Sequence, residues 1–141
     1  MSIYTTNGMN QKTEYMCHDV ISWTFKELDL FDSDLRVDFI WKRKQKHKGY
    51  TVHVDDNEFE IEIQAGLDTE DLIRTIIHEL IHVQQQVSGK LKHDGFISYW
   101  DGEVVIPVQY EETPWEIDAY SREDTLYEKW CLHQHQKVLY W

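Results

Sequence analysis

The sequence has few of the residues that define disulfide-bonded or membrane-spanning proteins. Its 141 residues include only 2 cysteines, 2 prolines and 6 glycines. Cys17 and Cys131 lie far apart and form no CxxC pair, so they indicate neither a disulfide framework nor a cysteine-based zinc site, and we expect both to be reduced. No apolar run reaches the roughly 18 residues of a membrane span, and the N-terminus lacks the charged and apolar segments of a secretion signal. These absences favour a cytoplasmic protein without a membrane partner, folded as one domain over residues 1–141.

Positive charge is also scarce. The chain carries 14 lysines and arginines against 26 acidic residues, a formal net charge of −12. Such a charge repels nucleic acids on average, so non-specific nucleic-acid binding is not expected. The exception is the basic segment 42–48 (KRKQKHK), which holds five of the fourteen cationic residues. We interpret it as a solvated loop between two strands, with a local contact to a nucleic acid or an acidic protein as the alternative.

The sequence does contain an HExxH motif, His78-Glu79-Leu80-Ile81-His82. Two histidines four residues apart on a helix share one face, so both imidazoles can reach one tetrahedral zinc ion. A carboxylate beside that ion can take a proton from the attacking water and pass it to the leaving amine. The motif therefore predicts His78 and His82 as zinc ligands, Glu79 as the general base, and hydrolysis as the reaction.

The residues around the motif predict the helix that it needs. Between Asp68 and Val87 the apolar residues recur with helical spacing, so that one broad face would be buried. Asp68 or Thr69 can cap the start, and Gly89 can end the helix. The apolar positions are Leu72, Ile73, Ile76, Ile77, Leu80, Ile81, Val83 and Val87.

A catalytic zinc usually takes a third protein ligand, and three candidates are present. Glu116 follows Pro114, which suits the first turn of a second helix, and Ala119 would let that helix approach the HExxH helix closely. Asp118 is shorter and points about 200° around the helix from Glu116. His93 is expected in the loop after Gly89. We favour Glu116 and leave the other two open.

Three separated stretches together resemble a known group of proteins. They are residues 74–85 with the HExxH motif, residues 99–102 (YWDG) with Tyr110, and residues 114–120 (PWEIDAY). These stretches look like the small HExxH proteins of phages and bacteria described as SprT-like or minimal gluzincin-type metallopeptidases. The resemblance implies a zincin-like domain, zinc bound by His78, His82 and Glu116, and a location in the host cytoplasm if a phage encodes the chain. SprT proteins use a later histidine instead, which keeps His93 open as a ligand.

The expected fold class is α+β. An amphipathic helix is predicted at residues 14–31, and strands at 37–41, 50–54 and 58–63, in a short mixed or antiparallel sheet. After the HExxH helix, Asp101-Gly102 predicts a two-residue hairpin between strands 96–100 and 103–106. A C-terminal helix would run through Leu126, Trp130 and Leu132.

The function expected from these patterns is zinc-dependent hydrolysis of a peptide bond in a protein or peptide. An extended substrate could pair with an exposed strand edge near the zinc. Tyr110 and Tyr120 bracket Glu116 and are candidates to stabilise the oxyanion. The competing hypothesis is a non-catalytic binding module, in which zinc staples two helices together.

Overall fold

A computed structural model describes residues 2–9, 11–43 and 45–139 and shows an α+β fold. The strands are β1 (Ile3–Asn7), β2 (Arg36–Lys42), β3 (Gly49–Asp55), β4 (Glu58–Gln64), β5 (Leu91–Asp94), β6 (Ile97–Trp100) and β7 (Glu103–Val104). The α-helices are α1 (Gln11–Glu27), α2 (Thr69–Val87) and α3 (Pro114–Leu139). Two short 3-10 helices lie at Phe31–Ser33 and Tyr110–Glu112.

The larger sheet is mixed and has the order β1-β2-β4-β3. Strands β1, β2 and β4 are parallel, whereas β3 runs antiparallel to β4 and lies at the edge. Within the described part of the chain, β4 is the only strand that pairs with β3. One edge of β3 therefore keeps backbone donors and acceptors that no other strand uses.

The hydrophobic core lies between this sheet and the helices, with α2 in contact with α1, α3, β3 and β4. Strand β4 shows why these residues form a half-buried strand: Phe59, Ile61 and Ile63 are buried, and the glutamates between them face outward. In α2 the predicted apolar positions other than Val87 are buried, and Val87 packs against the core from its edge.

The ends of α2 are those that the sequence predicts. The carboxylate of Asp68 accepts a hydrogen bond from the backbone N–H of Asp71 at 2.8 Å and caps the first turn. Gly89 follows the last turn with a φ of 80°, a left-handed conformation that glycine adopts without strain. These two signals fix the length of the helix that carries the HExxH motif.

Several other expectations are confirmed and several need correction. Strands β2, β3 and β4 and the Asp101-Gly102 turn form as predicted, and Cys17 and Cys131 are both free. The first helix occupies 11–27 rather than 14–31, and β7 is shorter than predicted. Strands β1 and β5 were not predicted; His93, expected in a loop, lies in β5. No helix of the described residues could cross a membrane.

Candidate metal centre

Helix α2 carries three potential ligands on its buried side. His78, Glu79 and His82 are each at most 6% exposed, and their ligand atoms lie within 4.8 Å of one another. The two imidazole rings meet edge to face, with centroids 4.8 Å apart. Such a group could hold a metal ion, because neutral imidazole nitrogens and carboxylate oxygens are the ligands that such ions take in proteins.

Glu116 of α3 reaches both histidines. One of its carboxylate oxygens lies 3.2 Å from Nε2 of His78, and the other contacts Nε2 of His82. Ala119, one turn further along α3, is completely buried, and its small side chain allows α2 and α3 to approach closely. The structure thus brings together the two histidines of the motif and the preferred third candidate.

The other two candidates have different partners. The carboxylate of Asp118 accepts hydrogen bonds from Nε2 of Gln85 at 2.9 Å and from Arg122 at 3.3 Å. Nδ1 of His93 bonds to the hydroxyl of Ser98 at 2.8 Å. Asp118 is therefore placed to orient a side chain of α2, and His93 of β5 is held against Ser98 of β6, the strand with which β5 pairs.

The outer nitrogen of His78 is held by a carboxylate. Nδ1 of His78 lies 2.9 Å from Oε1 of Glu123, and the other oxygen of Glu123 accepts a hydrogen bond from Arg74 at 3.1 Å. In the neutral form of His78, a donor N–H at Nδ1 leaves the lone pair on Nε2, the nitrogen on the side of Glu116. Glu123 thus fixes both the orientation and the tautomer that metal binding requires.

The outer nitrogen of His82 is held through an amide instead. Nδ1 of His82 lies 2.8 Å from Oε1 of Gln85, whose Nε2 donates to Asp118 and, at 3.0 Å, to the carbonyl of Trp115. The amide of Gln85 thereby links His82 to the first turns of α3. Both histidines present Nε2 inward.

The electrostatics of the centre are those of a compact ion cluster. Burial opposes protonation of His78, but hydrogen bonds to Glu116 and Glu123 raise its pKa to about 10. The pKa of His82 is also raised: burial acts against this, and the close approach of the Glu116 carboxylate outweighs it. Burial acts to raise the pKa of Glu116, but the two histidines hold it at about 2. A dication bound here would replace the two imidazolium protons.

One atom of the centre fits a metal better than it fits any hydrogen bond. Nε2 of His82 is buried and has no hydrogen-bond partner, since its approach to Glu116 has ion-pair distance without hydrogen-bond geometry. Buried polar nitrogens are almost always satisfied, so this exception needs an explanation. A metal ion bound by Nε2 of His82, Nε2 of His78 and the carboxylate of Glu116 would explain this nitrogen. The donor set suits zinc.

Glu79 lies beside this donor set and is held by β3. The hydroxyl of Thr51 donates to Oε1 of Glu79 at 2.8 Å. Gly49 packs so closely that a Cβ there would lie 2.6 Å from Cγ2 of Thr75 and 2.8 Å from Cγ of Glu79. Burial raises the pKa of Glu79, so its carboxyl group holds a proton more readily than an exposed glutamate does.

Two tyrosines lie at the centre, as the sequence suggested. Burial and the charges of Glu116 and Glu79 raise the pKa of Tyr110, so its hydroxyl stays protonated at neutral pH. The ring of Tyr120 packs against that of His78, with centroids 4.5 Å apart. Tyr110 and Tyr120 both line the cavity that His78 and Glu79 line.

A cavity of about 370 Å³ opens in front of His78, Glu79 and Glu116. The basic segment supplies part of its wall, through Lys46, His47 and Lys48. The ring of His47 stacks on that of Tyr110, with centroids 5.3 Å apart. The interpretation of this segment as a merely solvated loop is therefore incomplete, because residues 46–48 line the mouth of the candidate centre; Lys44 lies outside the described residues.

Sequence reasoning missed Glu123 and Thr51 as members of the site. Glu123 carried a usable signal, because it follows Glu116 by seven residues, or about two helical turns, and so shares its face. Thr51 carried none, since only the tertiary packing of β3 on α2 brings its hydroxyl to Glu79.

No family model, curated protein or solved structure matches this chain. The interpretation of the centre therefore depends on its own residues and geometry.

Proposed function

We propose that this chain is a zinc-dependent metallopeptidase with a zincin-like arrangement. The observation that carries the proposal is the convergence of His78, His82 and Glu116 at one point, where Nε2 of His82 is buried without a hydrogen-bond partner. With three protein ligands, a tetrahedral zinc ion keeps its fourth coordination position open for water or substrate. Catalytic zinc sites have this composition, whereas structural sites have four protein ligands. The later glutamate favours the gluzincin type of the resemblance over a three-histidine SprT-like site.

Each residue of the centre has a defined task in this proposal. His78, His82 and Glu116 would hold zinc, which when bound supplies a Lewis acid that activates water and polarises the scissile carbonyl. Glu79 accepts the proton of the attacking water and delivers it to the leaving nitrogen, and Thr51 keeps its carboxylate in place. The hydroxyl of Tyr110 donates toward the oxygen on which negative charge develops.

The edge of β3 provides a place for the substrate. It runs alongside the candidate centre, with Gly49 against Thr75 and with the hydroxyl of Thr51 also 3.2 Å from the carbonyl oxygen of Glu79. An extended peptide can add to such an edge through backbone hydrogen bonds, which position it without regard to its side chains. The proposed substrate is therefore a protein or peptide in extended conformation.

The competing function is a zinc-stapled binding module, and one observation favours it. Glu79 lies close enough to both histidines to act as a fourth ligand. Four protein ligands would close the shell, leaving a structural zinc that joins α2 to α3. The bond from Thr51 to Glu79 argues against this, because it holds one carboxylate oxygen toward β3.

Replacement of Glu79 by glutamine separates the two functions. In a peptidase, Glu79→Gln keeps about the wild-type zinc affinity and loses at least roughly a hundredfold in hydrolysis of a mixed peptide library, since only the proton acceptor is removed. His78→Ala, the control, should lose zinc and activity together. Loss of zinc from Glu79→Gln would establish the staple, and unchanged hydrolysis would remove Glu79 from the mechanism.

The third ligand is tested by zinc titration of three alanine variants. Glu116→Ala should weaken zinc binding by about one to two orders of magnitude, because an anionic ligand of a three-residue site is lost. Asp118→Ala should have a smaller effect, exerted through Gln85, and His93→Ala almost none. If His93→Ala loses the metal and Glu116→Ala keeps it, the gluzincin-type assignment is wrong.

A further inference from the structure

Two cavities flank Glu79 along the axis of α2. The larger, already described, extends toward Arg74 and Thr75; the second, of about 250 Å³, extends toward Gln86. Glu79, Tyr110 and Glu116 line both cavities. Arg74 and Gln86 are separated by roughly 18 Å of helix, the length of about five extended residues. One extended peptide can therefore enter both cavities while it passes the proposed zinc.

The first cavity is lined by both signs of charge, and Lys46 is its one cation without an ion pair among the described residues. Arg74 pairs with Glu123 and Asp124, and the other carboxylates that line the cavity are those of Asp71, Glu79 and Glu116. Lys48 pairs with Asp71 at 3.2 Å, but its side chain is 59% exposed, so the pair contributes little and is open to exchange. Lys46 is exposed and forms no ion pair within residues 2–9, 11–43 and 45–137. The chain as a whole is acidic, with a net charge of −12, so an unpaired lysine at the cavity mouth gives a ligand carboxylate a local partner that most of the surface does not offer.

The second cavity has an apolar and aromatic wall. Leu91, Trp115 and Tyr50 contribute to it, and no lysine or arginine of the described residues lines it. Trp115 is half-buried and contacts the ring of His93, with centroids 5.7 Å apart. A concave surface of this composition gains most from burying an apolar side chain and, within the described residues, offers no lysine or arginine to a carboxylate.

The direction of β3 orients a substrate between the cavities. Gly49 lies against Thr75 at the first cavity, and Thr51 lies at Glu79, closer to the second. Antiparallel pairing is slightly more stable per residue than parallel pairing, so a peptide added to β3 runs from the second cavity to the first. Its residue on the N-terminal side of the scissile bond then faces Leu91 and Trp115.

We propose that the cleft selects an extended peptide with an apolar residue before the scissile bond and an acidic residue after it. This specificity rests on the proposed peptidase function and adds a substrate class to it. Lys46 is its principal determinant on the acidic side, because it contacts neither the metal donors nor Glu79 and lacks a carboxylate partner of its own within the described residues.

The test uses two end-capped phosphinic tetrapeptides of the same composition, one with leucine before and aspartate after the phosphinate, the other with the two exchanged. Binding to the zinc-loaded protein is measured by calorimetry. The leucine-first peptide should bind at least about tenfold more tightly, and Lys46→Glu should abolish that preference. Lys12→Glu makes the same charge change on α1, away from both cavities, and should leave the preference intact.

The outcomes distinguish the two proposals. Equal affinities, or a preference that persists in Lys46→Glu, overturn the specificity and leave the peptidase function standing. Failure of both peptides to bind the zinc-loaded protein overturns the specificity together with the peptide cleft. Tighter binding of the aspartate-first peptide than of the leucine-first peptide would show that the substrate runs parallel to β3, which also overturns the proposed direction of binding.

Discussion

Gly49→Ala perturbs the centre without touching a metal ligand. The added Cβ would lie 2.6 Å from Cγ2 of Thr75, 2.8 Å from Cγ of Glu79 and 3.0 Å from its Oε2. Carbon atoms prefer about 3.5–4.0 Å, so β3 or these side chains must move by the order of 1 Å. Overpacking of this kind costs about 1–3 kcal/mol, and a displacement of 1 Å at a reacting group can lower turnover roughly a hundredfold.

The assay for this variant is a thermal melt, which requires no substrate. For a chain of this size, about 1–3 kcal/mol corresponds to a fall in melting temperature of roughly 3–10 °C. Zinc content should stay at the wild-type level, because His78, His82 and Glu116 are not displaced directly. Once a substrate is found, hydrolysis should fall far more than stability does.

Thr75→Ser provides the decisive second variant. It removes Cγ2, the atom nearest to the added methyl, and keeps the hydroxyl that donates to the carbonyl of Asp71 at 2.6 Å. Alone it should destabilise, by about 1 kcal/mol for a lost buried methyl group. In the Gly49→Ala background it should stabilise instead, because it relieves the overlap. If Thr75→Ser changes the melting temperature in the same direction in the wild-type protein and in Gly49→Ala, the packing argument is refuted. A wild-type melting temperature for Gly49→Ala would refute it as well.

Three further predictions concern thiols, protons and the support of a ligand. A thiol reagent should label the exposed Cys131 in the native protein but not Cys17, which is fully buried and has a pKa raised to about 12; labelling of two thiols per native chain contradicts this. Zinc uptake at pH 7 should release at least one proton, because the pKa of His78 without metal is about 10, and zinc affinity should rise with pH toward that value. Calorimetry in buffers of different ionisation enthalpy counts the proton, and zero release would show that the imidazole is already neutral. Glu123→Gln should weaken zinc binding about tenfold or more, measured by chelator competition, whereas the exposed Glu128→Gln should not; equal effects would mean that Glu123 does not support His78.

The sequence predicted the elements whose signals are local. Helix α2 has apolar periodicity, a capping aspartate and a terminal glycine within one stretch, and both of its ends formed as expected. Glu116 was found because Pro114 marks the start of α3 and Ala119 marks its close approach to α2. The hairpin turn was found because Asp101-Gly102 allows positive φ at both positions.

The elements that were missed depend on distant partners. Strand β1 is short and pairs in parallel with β2, and the pairing of Ile3 with Arg36 spans more than thirty residues, so no local pattern marks it. Strand β5 has three exposed polar or charged residues after Leu91 and owes its conformation to β6. The bond from Thr51 to Glu79 likewise follows only from the placement of β3 on α2, which is why the sequence supplied the metal donors but not the group that holds the base.

In the described residues, the side-chain hydrogen bonds and ion pairs that join α2 to α3 fall on the first part of α3. Glu116, Asp118 and Glu123 connect it to α2, and Leu126 and Trp130 complete the buried contact. From position 131 to 137 no residue is fully buried, and only His133 and Gln134 are half-buried. Hydrogen exchange along this single helix should therefore have two regimes: amides up to Trp130 open only when α3 separates from α2, whereas later amides exchange through fraying of the end. Bound zinc should slow the exchange of the amides up to Trp130 by mass action and leave the rates of the later amides unchanged. The exchange rates along α3 therefore report metal occupancy, with the C-terminal end of the helix as the internal reference.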